Sequence, residues 1–473
     1  MRTRLLPGLA LSSALLLSAC ASFSPDRGMD AVSGIAGTEL KKDVVALRSA
    51  DDAATARMIV DRLLKKPLTV EDAVQIAVLS NRDLQAAYNV LGLAEADRVR
   101  ASLPPNPRFS LERLAGGGEL EIERRIVANI LSLATLPARA AIAADRFHQA
   151  QLQAVEATLR IAAETRRAYF RAVAARELAG YLAEARAAAD TANELAKRLG
   201  ESGAMNKLDQ ARNQVFAAEL TAQLASTRNR TEAERERLIR LMGLWGRALA
   251  FKLPRSLPSL PSRARGLASV ETEAVARRVD LQIARIEIEA LAKSYDLTGA
   301  TRFLNLLEVA GISKTTTDAV GDKTRQRGFE VEFEIPLFDF GEVRARQAEE
   351  QYMQAVNRLV AKAVNVRSEA REAYQAYRSA YDVARHYRRE ILPLRKIISE
   401  ETLLRYNAMQ IDVFELFSEV RQRINSTAAA LEAQRDFWIA EADLRTALIG
   451  GANGSASTTA TMMQTAAEPS GGH

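Results

Sequence analysis

The feature that most constrains the fold is a long stretch without helix breakers. From Ala138 to Leu253 the sequence contains no proline and is rich in alanine, the residue with the highest helix propensity. Apolar residues recur there at alternating spacings of three and four, which is typical of a coiled-coil seam. The seam residues are Leu152, Val155, Leu159, Ala162, Tyr169 and Val173, interrupted only by Arg166. A helix of about 60 residues would be about 90 Å long, so the sequence predicts an elongated protein.

The chain also repeats itself. Asp83-Leu-Gln-Ala-Ala in one predicted helix has a counterpart, Asp280-Leu-Gln-Ile-Ala, in a second. After each of these helices come two short segments, a long helix, a break and a returning helix. The same order of elements twice predicts two copies of one structural unit.

Each pair of short segments has the alternation of β-strands. The first pair lies at about 106–130, with a turn at Gly116–Gly118, and the second at about 301–338, with a polar loop predicted from Ser313 to Arg327. In Phe329–Ile335 three glutamates alternate with apolar residues. In a soluble sandwich the glutamates would face solvent, whereas in a membrane barrel they would line a water-filled lumen. Four strands are too few for a transmembrane barrel, but three chains would supply twelve.

The N-terminus has the pattern of a lipoprotein signal. Two arginines precede an apolar run, and Leu17-Ser-Ala-Cys20 follows it. This resembles the lipobox of bacterial lipoproteins, which implies cleavage before Cys20 and acylation of its thiol. The alternative is an ordinary signal peptide with a stray cysteine. No later segment is apolar and long enough for a transmembrane helix, so we expect any passage through a membrane to be made by strands.

These patterns divide the chain into six segments. They are a signal peptide at 1–19, a lipid-anchored tether and approach segment at 20–66, a first repeat at 67–250, a linker at 251–269, a second repeat at 270–449 and a disordered tail at 450–473. The two long helices are expected to break at tips near 200–206 and 405–412.

Composition and motifs argue against several functions. The net charge of +6 is small for 473 residues, and the charges alternate along the chain, so no nucleic-acid partner is predicted. We find no phosphate-binding loop, His-Glu-x-x-His motif or nucleophile elbow, and therefore predict no enzyme, cofactor or metal site. His148 and His386 are expected to be solvated or lumen-facing.

Several stretches resemble the TolC family of outer-membrane efflux proteins. Leu68–Ala77 with Asn81-Arg-Asp-Leu is similar to the opening helix of that family. Ile335-Pro-Leu-Phe-Asp-Phe-Gly341 resembles its strand-to-helix corner, and Ile411–Leu416 resembles the stretch beside its second tip. The resemblance covers about residues 68–449. It implies a mainly α-helical fold with a small membrane β part, assembled as a trimeric α-barrel tunnel topped by a 12-strand β-barrel.

The same resemblance implies functional residues at the tips. Asp412 and Glu415 correspond to acids that ring a closed periplasmic aperture in some members; alternatively, they are first-turn residues stabilised by the helix dipole. The adaptor-contact tips would include Gly200, Gly203, Ala204, Met205, Asn206, Met409 and Gln410. For the glycines, plain turn chemistry is the alternative explanation.

The implied function is a passive exit duct for drugs, metal ions or other toxic compounds in a tripartite pump. Its implied partners are two further copies of the chain, a periplasmic adaptor (membrane fusion protein), an inner-membrane pump of the RND type and outer-membrane lipid. Other functions to weigh are a coiled-coil lipoprotein scaffold, a soluble periplasmic binding module and the outer-membrane component of type I protein secretion. A scaffold would not need amphipathic strands, and a binding module would need a compact core with a concave pocket.

Overall fold

The chain forms two helical units joined by one small sheet. A computed structural model describes residues 22–203, 205–266 and 269–451. The first unit comprises α1 (Ala50–Leu64), α2 (Val70–Ser80), α3 (Arg82–Ser102), β1 (Arg108–Gly116), β2 (Glu119–Asn129), α4 (Ile130–Ala134), α5 (Leu136–Glu201) and α6 (Lys207–Met242). The second comprises α7 (Val270–Arg277), α8 (Val279–Ala300), β3 (Leu306–Thr317), β4 (Lys323–Glu334), α9 (Glu342–His386), α10 (Leu392–Asn407) and α11 (Val413–Ile449).

The sequence predicts one continuous opening helix in each repeat, at about 68–103 and about 270–297, but each is interrupted in the structure. The breaks fall at Asn81 and at Arg278, which have nearly the same backbone angles. Asn81 caps α3 by accepting a hydrogen bond from the Leu84 amide, and it donates one to the Leu241 carbonyl. Arg278 instead donates two hydrogen bonds to the Asp280 carboxylate, at 2.9 and 2.8 Å. Burial acts to raise the pKa of Asp280, but these bonds and the Arg278 charge outweigh burial and lower it.

The predicted seam of the first long helix is confirmed as buried. All its apolar members lie in the core, and Arg166 is buried beside them. The guanidinium of Arg166 lies 3.4 Å from the Glu71 carboxylate, which also meets Lys42 at 3.0 Å. The interruption of the seam is therefore an ion-paired position.

The second long helix contains a proline that it accommodates by a local change of pitch. A π-helical turn, Tyr387–Ile391, separates α9 from α10, and Pro393 follows at once. Proline lacks the amide hydrogen that an α-helix would use, so a widened turn is expected next to it. The helix path continues from Glu342 to Asn407.

Aromatic residues join the two units where α5, α9 and α11 pack together. Phe170 of α5 stacks on Trp438 of α11, with ring centroids 5.3 Å apart, and Phe437 contacts Tyr377 and Tyr381 of α9. The linker packs here too, because the Pro258 carbonyl accepts a hydrogen bond from the Trp438 indole.

The four strands form one antiparallel sheet in the order β1-β2-β3-β4. The predicted polar loop at 313–327 is wrong in extent. Ser313 pairs with Arg327, and pairing continues to Thr317 and Lys323, which leaves a five-residue turn. Polar side chains can follow the same two-residue alternation as apolar ones, so polarity alone did not mark the end of the strand.

Within the described residues, no helix combines the length and apolar character needed to cross a membrane.

Candidate functional site

The two faces of the sheet have different chemistry. We call the face that carries Phe109, Ile126, Gly311 and Phe329 in one cross-strand row the apolar face, and the opposite one the charged face. All eight glutamates of the four strands lie on the charged face: Glu112, Glu119, Glu121, Glu123, Glu308, Glu330, Glu332 and Glu334. No acidic side chain of the strands lies on the apolar face.

Three basic residues accompany these glutamates, and each is paired. Arg125 meets Glu330 at 2.7 Å, Arg108 pairs with Glu308, and Lys314 pairs with Glu121. The charged face keeps an excess of five acids per chain. Such a surface is suited to contact with water and cations.

Large side chains of the apolar face are open to the surroundings in the single chain. Phe329 is 82% exposed and Phe109 is 64% exposed, and Val331 and Phe333 continue the patch. Contiguous exposed apolar surface of this kind marks a protein or membrane contact. β1 and β4 are the outer strands of the sheet, so each offers one unpaired edge.

The strand-to-helix corner follows β4 and is built by local hydrogen bonds. The Phe340 amide donates to the Pro336 carbonyl at 2.8 Å, and the Gly341 amide donates to the Asp339 carboxylate at 3.0 Å. Gly341 is left-handed (φ +70°), and a β-carbon there would lie 2.2 Å from the Arg302 carbonyl oxygen. Only glycine fits this approach of the two chain segments.

At the other end of the helices lies the first tip. α5 ends at Glu201, Gly203 adopts a left-handed conformation (φ +77°), and Asn206 caps α6 through the Asp209 amide at 2.8 Å. Met205 is buried, and its carbonyl accepts from the Gln210 side chain. Ala204 lies outside the described residues. Gly200 lies in the last turn of α5, and Gly203, Met205 and Asn206 lie between α5 and α6.

The second tip is also a turn with one residue in the left-handed conformation, but that residue is a methionine instead of a glycine. Here Met409 takes the left-handed conformation (φ +57°) and is 94% exposed, while the Gln410 amide donates to the Arg405 carbonyl at 2.9 Å. Asp412 caps α11 by accepting from the Glu415 amide at 2.8 Å. Both acids are exposed, so each carboxylate remains accessible.

Contacts between α6 and α11 connect the two tips. The Arg212 guanidinium lies 4.6 Å from the centre of the Phe414 ring, and Arg421 lies 5.0 Å from that of Phe216. Arg421 also meets Glu219 at 3.8 Å. These residues line a cleft of about 390 Å³. Sequence reasoning missed them, since nothing in either repeat alone signals a pairing between repeats.

The N-terminal segment, which we define as residues 22–49, packs against α3 and α5. Glu95 of α3 is fully buried and accepts hydrogen bonds from the amide and hydroxyl of Ser24, at 2.7 and 2.5 Å. Arg98 donates to the Ser22 carbonyl at 3.2 Å. Short helical turns follow at Met29–Val32, Ser33–Gly37 and Thr38–Leu40. Cys20 lies outside the described residues.

The second anchoring point of this segment is electrostatic. Burial acts to raise the pKa of Glu71, but the charges of Arg166 and Lys42 outweigh it and lower that pKa. Glu71 therefore stays ionised and ties Lys42 of the N-terminal segment to α5. Among residues 22–203, 205–266 and 269–451, no group of three or more His, Cys, Asp or Glu is arranged to hold a metal ion.

A comparison with protein families finds a match in the second half of the chain. Residues 271–448 match the family model described as outer membrane efflux protein. The match lies in the second repeat, and for that part of the chain it confirms the resemblance to outer-membrane efflux proteins predicted from the sequence.

Solved structures share the fold over most of the chain. A structure of CusC has 17% identity and a TM-score of 0.66, covering 80% of this chain and 92% of its own. VceC from Vibrio cholerae has 15% identity and a TM-score of 0.63, covering 84% and 97%. The MtrE outer membrane channel of Neisseria gonorrhoeae has 16% identity and a TM-score of 0.63, covering 81% and 89%. No curated protein sequence matches the chain.

Proposed function

We propose that three copies of the chain form a tunnel through the outer membrane and the periplasm, through which small solutes leave the cell. The observation that carries this proposal is the sheet. Its apolar face is free of acids and exposed, its charged face is rich in glutamate, and both of its edges are open. Pairing β1 of one copy with β4 of the next would remove every edge and give twelve strands, an even number within the range of membrane barrels.

The acids of the charged face would line the tunnel mouth. With an excess of five glutamates per chain, three copies concentrate negative charge around one opening, which favours cations over anions. The helices α5, α6, α9, α10 and α11 would continue the tunnel as a barrel of coiled coils. Drugs, metal ions and other toxic compounds all fit a duct that does not bind its cargo.

The tips would form the periplasmic end. Asp412 and Glu415 from three copies would place six carboxylates around a narrow aperture. Gly200, Gly203, Ala204, Met205, Asn206, Met409 and Gln410 would meet a periplasmic adaptor, which in turn joins an inner-membrane pump of the RND type. An exposed methionine in a strained conformation supports this role for the second tip, because strained residues persist mainly at functional positions.

A lipid on Cys20 would anchor the chain in the outer membrane. Glu95 and Arg98 hold residues 22–24 beside α3, whose C-terminal end leads directly into β1. The lipid would thus be attached close to the membrane end of the protein, and acylation of this cysteine would leave no free thiol.

The test is ion selectivity in planar bilayers. A purified channel should prefer cations under a KCl gradient, and the variant D412A/E415A should lose part of that preference at unchanged oligomer mass. N206A/D209A is the matched control, because it removes the same kind of helix cap from the first tip, which the proposal assigns to adaptor contact and not to the aperture. A preference that survives D412A/E415A in full would refute the acidic aperture, and a protein that never conducts would refute the channel.

A further inference from the structure

The basic residues of the sheet differ in the face they occupy and in their distance from the helices. Five lie on the apolar face, and all five occupy the end of the sheet far from the helices. They are Arg113, Arg124, Lys323, Arg325 and Arg327, and each is exposed. We call this set the basic rim. Cross-strand pairing places Arg124 in the row of Arg327, and Arg113 in the row of Arg325, so the rim spans adjacent rows of the sheet.

No side chain of the basic rim makes an ion pair or a side-chain hydrogen bond within the described residues. All three basic residues of the charged face, by contrast, are paired with glutamates. In the neighbouring β3–β4 turn, the Asp318 carboxylate accepts hydrogen bonds from the amides of Val320 and Asp322, at 3.0 and 2.8 Å. The rim therefore presents cationic groups outward, on a face that contains no acid in any strand.

The height of the rim matches a membrane boundary. Ile335, which directly follows β4 at the helix end of the apolar face, is eight residues from Arg327 and ten from Arg325. At about 3.3 Å per residue these are about 26 and 33 Å along the strand. A strand tilt of about 40° reduces them to about 20 and 25 Å of height, against an apolar band of about 25 Å in membrane barrels. The rim thus lies where hydrocarbon gives way to headgroups.

We propose that the basic rim binds the phosphate groups of anionic lipids at the surface of the membrane remote from the helices. The proposal rests on the membrane-spanning role of the sheet given above. Four of the five residues are arginines, whose planar guanidinium groups bind phosphate oxygens in pairs. Three copies of the chain would surround the tunnel with fifteen cationic groups, all on the lipid side. Bound lipid phosphates would neutralise these charges and fix the depth of the sheet in the membrane.

The experiment measures lipid binding to the detergent-solubilised, full-length oligomer by native mass spectrometry. Phosphatidylglycerol, phosphatidylcholine and inorganic phosphate are titrated separately. One surface cation contributes about a five-fold factor in binding to anionic lipid, so R325Q/R327Q should weaken phosphatidylglycerol binding about 25-fold. Phosphatidylcholine binding should not change. R325K/R327K keeps both charges but loses the paired guanidinium bonds. It should bind phosphatidylglycerol more tightly than R325Q/R327Q and less tightly than the parent, which excludes a general loss of structure as the cause.

The matched control is R125Q, which removes an arginine from the charged face of the same sheet. It should leave phosphatidylglycerol binding unchanged. The proposal is overturned if R325Q/R327Q binds phosphatidylglycerol within two-fold of the parent, or if R125Q loses as much. It is also overturned if inorganic phosphate binds as tightly as the lipid and is lost in the same variant, which would indicate a site for free anions.

Conductance separates this inference from the proposed channel. In phosphatidylcholine bilayers R325Q/R327Q should conduct like the parent. If the parent and R325Q/R327Q both conduct and bind phosphatidylglycerol equally well, the assignment of the basic rim is refuted but the channel is not. If neither the parent nor the variant conducts, the channel itself is refuted, and the rim with it.

Discussion

Replacing Gly341 by alanine should damage the corner that joins the sheet to the second long helix. The left-handed backbone at this position costs a residue with a β-carbon about 1 kcal/mol. The new β-carbon would also lie 2.2 Å from the Arg302 carbonyl oxygen and 3.0 Å from its carbon, so backbone must move. Overpacking against backbone adds about 2 kcal/mol. We therefore expect G341A to lose about 3 kcal/mol of stability.

Gly246 supplies the matched control for this variant. It has nearly the same φ, +63°, but a β-carbon there would meet nothing within 4 Å. G246A should therefore lose only the conformational part, about 1 kcal/mol. Thermal unfolding of the purified protein in detergent, followed by circular dichroism, measures both variants. The drop in Tm should be about three times larger for G341A. Equal drops would refute the claim that the Arg302 contact makes this corner specific for glycine.

Three further predictions concern the N-terminal segment and the tips. In E95Q the Ser24 amide should exchange its hydrogen faster, since a neutral amide oxygen is a weaker acceptor than the buried carboxylate; hydrogen exchange read by mass spectrometry measures this. M409G should raise stability by about 1 kcal/mol in thermal unfolding, because glycine adopts the left-handed conformation without cost. Glu71 has a folded-state pKa below its ordinary value of 4.5, so its contribution to stability is present above pH 4.5 and is lost as the pH falls below it. The Tm advantage of the parent over E71Q should therefore shrink in acid.

Each of these has a control or a contrary outcome. D97N changes an exposed acid of the same helix as Glu95 and should leave the Ser24 amide protected. G203A should destabilise the protein by as much as M409G stabilises it. If G203A is stabilising instead, the left-handed backbone conformation does not determine these changes in stability. A Tm difference between the parent and E71Q that grows in acid would contradict the lowered pKa of Glu71.

Local pattern predicted much of this fold. The proline-free first long helix, the breaks near Gly203 and Met409, and the alternation of Phe329–Ile335 all follow from properties of neighbouring residues. The strand-to-helix corner at Gly341 was likewise visible as a motif. In each case the decisive interaction lies within a few positions along the chain.

What the sequence did not reveal depends on distant partners. The break at Asn81 needs the Leu241 carbonyl, and the ion-paired break at Arg278 needs Asp280 together with Glu369 at 2.5 Å. The stacking of Arg421 on Phe216 crosses from one repeat to the other. No periodicity within one segment encodes such contacts. Likewise, the separation of basic residues between the two faces of the sheet became apparent only with the register of all four strands.

The mass of the detergent-solubilised particle decides whether three chains form one tunnel. Four strands with two open edges cannot by themselves enclose a lumen, so we expect a trimer of the mature chain that contains twelve strands. Native mass spectrometry of protein extracted from outer membranes should show three chains per particle. A stable monomer or dimer under conditions that preserve the sheet would contradict the tunnel, because neither would close it.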